Sequence, residues 1–138
     1  MDLFGFFRRV RAKAQPLTGA PAVRRQKTYS AQSGYVYQYY FEGRRPYVRA
    51  SEAGVEYVFD VSSDRKNSFA ASVLVSDGAV AQWEAQHGRN LNSTERYAIA
   101  KMALFQAFDE RPDPASMRQE ILARPADVQA ILEALDID

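Results

Sequence analysis

Residues 35–42 read Tyr-Val-Tyr-Gln-Tyr-Tyr-Phe-Glu, and the alternation in this stretch decides the fold. Successive side chains of an extended chain point to opposite faces, so Tyr35, Tyr37, Tyr39 and Phe41 share one face while Val36, Gln38, Tyr40 and Glu42 share the other. Two further stretches repeat the pattern. Val55, Tyr57, Phe59 and Val61 alternate with Glu56, Val58 and Asp60, and Phe69, Ala71, Val73 and Val75 alternate with Ala70, Ser72 and Leu74. Aromatic and β-branched residues suit a pleated, half-buried surface, so all three read as strands. The short polar connection Ser62–Asn67 makes the second and third an antiparallel hairpin. Gly43 to Pro46 reads as a turn, Tyr47 to Arg49 as a brief edge strand, and Ser51 to Gly54 as a second turn.

A sheet face lined with rings needs a cover. Asn92 and Glu95 have the spacing of a capping box, in which each side chain accepts from the other residue's backbone amide, so a helix begins there. At about 100° per residue, Tyr97, Ala100, Ala103, Leu104, Ala107 and Phe108 fall on one broad face that suits the aromatic side of the sheet. Ahead of it, Ser76 or Asp77 caps a helix that carries Val80, Trp83 and His87 along one side and that Gly88 ends. Behind it, Pro114 starts another helix with Met117, Ile121 and Leu122, and Pro125 starts a last one with Val128, Ile131, Leu132 and Leu135. Strands followed by helices define an α+β protein: a three- or four-stranded antiparallel meander sheet with the C-terminal helices packed on one face.

That domain is expected over residues 34–138. Residues 1–33 read as a basic amphipathic arm and linker. Up to Gly34 the chain has seven basic side chains against one acidic, a net +6, whereas the remainder has eleven against sixteen, a net −5. Such asymmetry marks a tail with its own role or docking surface. Leu3, Phe4 and Phe7 recur at helical spacing, with Arg8, Arg9 and Arg11 mostly around the other side. This pattern suits a groove on a protein partner or peripheral contact with an anionic membrane. The charges follow the apolar cluster instead of preceding it, unlike a secretory signal. Pro16, Gly19, Pro21 and Gly34 among small and polar residues make the following stretch a linker.

Chemistry is harder to find. There is no cysteine, which removes disulfides, thiolate metal sites and thiol nucleophiles. No apolar run approaches the roughly 20 residues that cross a bilayer, and a cytoplasmic location is the expectation. Phosphate-loop, dinucleotide, nucleophile-elbow and zinc-protease motifs are absent. The acidic cluster from Asp109 to Asp113 lacks calcium-loop spacing and is broken by prolines. His87 is the only histidine, so it has no second imidazole with which to share a metal. These features predict no catalytic, metal or cofactor residues and no cofactor. The leading expectation is a non-enzymatic protein-interaction or regulatory module. Its partner is another protein or a second copy, a homodimer forming through the last helix's apolar stripe. Nucleic-acid binding through Arg24, Arg25, Arg44, Arg45 and Tyr47 is an alternative from another class. A small enzyme is a third, and it requires Asp60, Lys101 and His87 to meet in one pocket.

Overall fold

The computed structural model describes residues 15–138. Five strands form one sheet in chain order: β1 (Lys27–Ser30), β2 (Val36–Arg49), β3 (Glu52–Ser62), β4 (Phe69–Ser76) and β5 (Ile121–Ala123). Three α-helices, α1 (Asp77–His87), α2 (Ser93–Glu110) and α3 (Pro125–Ala134), and a 3-10 turn at Pro114–Arg118 complete it. The α+β class and the β3–β4 hairpin stand as read from the sequence, but the sheet has five strands and is mixed, since β5 pairs with β4 in parallel.

The differences have local causes. The turn expected at Gly43 to Pro46 is absent, because β2 runs through it. The register against β3 slips between Phe41 and Gly43, so Glu42 is an extra residue in a bulge. Gly43 has φ 130°, and a Cβ there would lie 2.9 Å from the Thr18 carbonyl oxygen, so glycine lets the upstream chain lie close. Past the Thr18–Arg44 bridge, β2 is an edge strand, which is where a strand tolerates a proline such as Pro46.

The stretch read as linker contributes β1. Lys27–Ser30 pairs antiparallel with Val36–Tyr39, and Thr18 bridges Arg44 further along the same edge of β2. The helix expected from Pro114 through Leu122 is instead the 3-10 turn followed by β5, in which Ile121 and Ala123 are buried and Leu122 is exposed.

The core lies between the sheet and α2. Tyr37, Tyr39, Tyr57, Phe59 and Val61 are buried together with Ile99, Ala100, Ala103, Leu104, Ala107 and Phe108. The alanines let the helix approach, and its rings fill the remaining gaps. Phe108 stacks on Tyr37 with centroids 4.2 Å apart, Phe105 on Tyr29 at 4.3 Å, and Tyr97 lies 4.8 Å from Phe41. Burial pushes the Tyr39 hydroxyl up to about 12, with a smaller contribution from Tyr97. Cap signals act as the sequence suggests. The Ser76 hydroxyl accepts from the Ala79 amide, Gly88 ends α1 in the left-handed region, and Asn92 and Glu95 form the reciprocal box.

Candidate functional site

With the rings committed to α2, the other face of the sheet is where recognition chemistry can be sought. Directly opposed residues share a face, so the pairing puts Gln38, Tyr40, Arg45 and Tyr47 of β2 beside Ser62, Asp60, Glu56 and Gly54 of β3. Val58 and Leu74, which also point to this face, are buried. Two parts of it differ in character.

Toward the middle, Arg45 Nε donates to Glu56 Oε1 at 2.9 Å. Burial alone would raise the Glu56 carboxyl, but the bonds from Arg45 and from the Ser72 hydroxyl outweigh it and hold the group below its ordinary value. Arg49 reaches across to pair with Glu120. Tyr47 lies against Gly54, and burial, followed by the Glu52 and Asp77 carboxylates, pushes its hydroxyl up. These charges satisfy one another.

Toward the β3–β4 loop, a cleft of about 250 Å³ opens among Gln38, Tyr40, Asp60, Arg65, Lys66 and Asn67. Its wall is built locally. The Asp64 carboxylate accepts from the amides of Lys66 and Asn67, each at 2.8 Å, and from the Asn67 side chain at 3.2 Å. The Ser62 hydroxyl accepts from the Arg65 amide at 2.9 Å. These bonds, the Asn67 and Lys66 amides foremost, hold the Asp64 carboxyl far below the usual carboxylate range. Arg65, at φ 64°, completes the tight loop. The loop thus presents Arg65 and Lys66 at the rim, and neither side chain forms an ion pair among the described residues.

Of the other lining residues, Tyr40 has Arg24 3.9 Å above its ring centre, and Arg24 also donates to Asp60 Oδ2 at 2.9 Å and to Glu42. The Tyr40 hydroxyl donates to Gln26 Oε1 at 3.0 Å. At the floor is Gln38, only 5% exposed, whose amide oxygen has no hydrogen-bond partner. That oxygen is closed off from the cleft as well as from water, so its desolvation cost of about 1–3 kcal/mol is borne inside the fold.

The structure separates the residues singled out from sequence. Leu3, Phe4, Phe7, Arg8, Arg9 and Arg11 lie outside the described residues. Of the nucleic-acid set, Arg24 and Arg45 are in ion pairs on the outer face, Tyr47 is half-buried there, and Arg25 is exposed. Arg44 is opposed to Tyr57 and so faces the helix side. The set does not form one basic surface. The enzyme set is dispersed as well. Asp60 is on the outer face, Lys101 lies over Phe105 on α2, and His87 stacks on Trp83 at the end of α1, its Nδ1 2.9 Å from the Trp83 carbonyl oxygen. Among the described residues no three His, Cys, Asp or Glu side chains gather to hold a metal ion. No helix there is long and apolar enough to cross a membrane.

Sequence reasoning missed Gln38, Lys66 and Arg65. An amide in mid-strand opposite the aromatic face was the available signal, and only the fold brings it beside the loop. In comparisons with known proteins, the chain matches no family model, no curated protein and no solved structure.

Proposed function

We propose that this chain is a non-enzymatic interaction or regulatory module that receives a protein partner on the outer face of its sheet, with part of that partner filling the cleft. The observation that carries this reading is a cleft of about 250 Å³ on that face whose loop wall is already braced by hydrogen bonds to Asp64 and Ser62. A pre-shaped loop loses little freedom on binding, which favours recognition. Val36, 43% exposed and on the same face two residues from Gln38, adds apolar contact beside the polar cleft. The cleft contains no imidazole or thiol among its lining residues, which supports binding over covalent chemistry.

A photoreactive residue in place of Lys66 tests the reading, with the same residue at exposed Gln129 on α3 as control. Expressed in the native host, the Lys66 position is expected to cross-link to a discrete protein that the Gln129 position does not reach. Asp60→Lys, which places a cation in the cleft, should suppress that product. Equal labelling from both positions, or persistence with Asp60→Lys, overturns the proposal.

A further inference from the structure

We infer that residues 1–14 of this chain lie across the middle of the outer face, with Leu3, Phe4 and Phe7 against Val58 and Leu74. The inference is independent of what enters the cleft, which lies at the loop end of that face. Val58 and Leu74 are only 6% and 3% exposed, yet neither belongs to the cluster of buried side chains that the sheet shares with the helices. Their neighbours on the outer face are poorly suited to hide them. Val58 is flanked by Gly43, which has no side chain, and by Ser72, which has a single hydroxyl. Leu74 stands between Glu56 and Leu122. The Arg45–Glu56 pair beside them is drawn out of water too, its side chains 25% and 14% exposed. A sheet face that meets water carries polar side chains at its centre. A buried valine and leucine there mark a covered one.

The arm starts in the right place to be that cover. Thr18 exchanges backbone hydrogen bonds with Arg44 at 2.8 and 2.9 Å, and the chain before it follows the β2 edge until the Gln15 carbonyl oxygen lies 3.5 Å from Arg45 Nη1. Arg45 belongs to the outer face, and a Cβ at Gly43 would meet Leu17 Cβ at 3.0 Å, so residues 1–14 depart from the rim of the covered area. β4 is two strand spacings beyond β2, about 10 Å, and fourteen residues reach about 21 Å even when helical. The length suffices. Leu122, one strand further, is 49% exposed and sets the far limit of the cover. The composition fits as well. Leu3, Phe4, Phe7 and Val10 recur at helical spacing and offer one apolar side. Residues 1–14 carry four basic side chains against one acidic, opposite in sign to the domain. Glu56 and Glu120, the carboxylates beside the covered area, already pair with Arg45 and Arg49. Charge therefore steers the arm over distance, while apolar burial holds it. The tether at Gln15 favours this occupant over a separate molecule, because a short tether gives an effective concentration on the order of millimolar.

The chain has no cysteine, so a nitroxide attached through Gly5→Cys is unique, and its broadening of amide NMR signals in the isotopically labelled full chain tests the inference. The signals of Val58, Ser72 and Leu74 are expected to lose most of their intensity, while that of Gln129, exposed on α3, keeps its own. Phe4→Asp with Phe7→Asp, both upstream of every described element, should abolish the loss and leave the α2 signals where they were. A loss spread evenly over the molecule, no loss, or a loss that survives the two aspartates overturns the inference. Mixing nitroxide-bearing chain that lacks the isotope with labelled parent chain detects a second copy as the cover. Broadening of the outer-face signals in that mixture overturns the inference as well. So do outer-face signals that stay sharp while the chain co-sediments with phosphatidylglycerol vesicles, which would make a membrane the arm's surface. The Lys66 cross-link reports on the cleft alone, so neither experiment decides the other.

Discussion

Gly54 has less room than any other glycine of the described chain. A Cβ there would lie 2.4 Å from the Val75 carbonyl oxygen, 2.7 Å from the Tyr47 ring and 2.8 Å from the Ser76 Cα. Two of these neighbours are backbone and cannot swing aside. Gly54→Ala is therefore expected to lower stability by about 1–3 kcal/mol, read from the shift of a urea midpoint at unchanged slope. Phe108 is the opposite case, a fully buried ring held by Tyr37, Tyr29 and Tyr39. Phe108→Ala should cost about 3–5 kcal/mol, and the loss should show in the same measurement. Asp64 sets a pH dependence. Its carboxyl titrates lower folded than unfolded, where the value is about 3.9. It therefore stabilises the fold above that pH, and the benefit disappears as the pH falls toward the folded value. Asp64→Ala should be less stable than the parent at pH 7, and the gap should begin to narrow only once the pH falls below about 4. A gap that is constant with pH would remove the carboxylate from the explanation. At this scale the sequence was partly legible. The Asn92–Glu95 box and the Gly88 cap announce themselves through spacing, whereas the cleft beside Gln38 depends on a loop that only the folded hairpin brings there.

Elements were legible where a period lasted long enough to be counted. The ring-bearing halves of β2 and β3 and the whole of α2 extend over several repeats, and each has the boundaries or faces that its pattern implies. β1 and β5, four and three residues long, are too short for strand and helix periods to be told apart. Their pairing is supplied by β2 and β4, already in place. The break read into β2 came from Gly43 and Pro46. Both are turn formers, yet here one permits a close backbone approach and the other occupies an unshared edge. Helix α2 owes its start to the reciprocal box, in which the Glu95 amide donates to Asn92 Oδ1 at 2.8 Å and the Asn92 amide donates to Glu95 Oε1 at 3.0 Å. Arg89 grips the same carboxylate at 2.9 Å. Asn92→Ala should cost about 1 kcal/mol and lower the melting temperature by about 4 °C, checked by circular dichroism. An unchanged melt would mean that packing on the sheet alone sets where the helix begins.

At the scale of the molecule, the upstream chain is structurally tied to the domain that the sequence places after it. Tyr29 stacks on Phe105 and donates to Asp109 at 2.8 Å, the Gln32 amide donates to the same carboxylate, and Arg24 joins Glu42 to Asp60. Removing residues 1–33 bares the Tyr37–Arg44 edge of β2 and uncovers Phe105. Unpaired edges invite association, so the truncated chain is expected to self-associate and melt earlier, as size exclusion with light scattering and a thermal scan would show. A monodisperse product with an unaltered melt would contradict this. The parallel seam between β4 and β5 has a further consequence, one of time. The β2–β3 and β3–β4 ladders join chain neighbours and close short loops, whereas Val73 meets Ile121 only after α1 and α2 have been threaded between them. Contacts between distant positions are late to nucleate. The seam should be the last to zip and the first to open, making the amides of Ile121 to Ala123 quick to trade hydrogen for deuterium while those of β3 hold theirs until the whole molecule gives way.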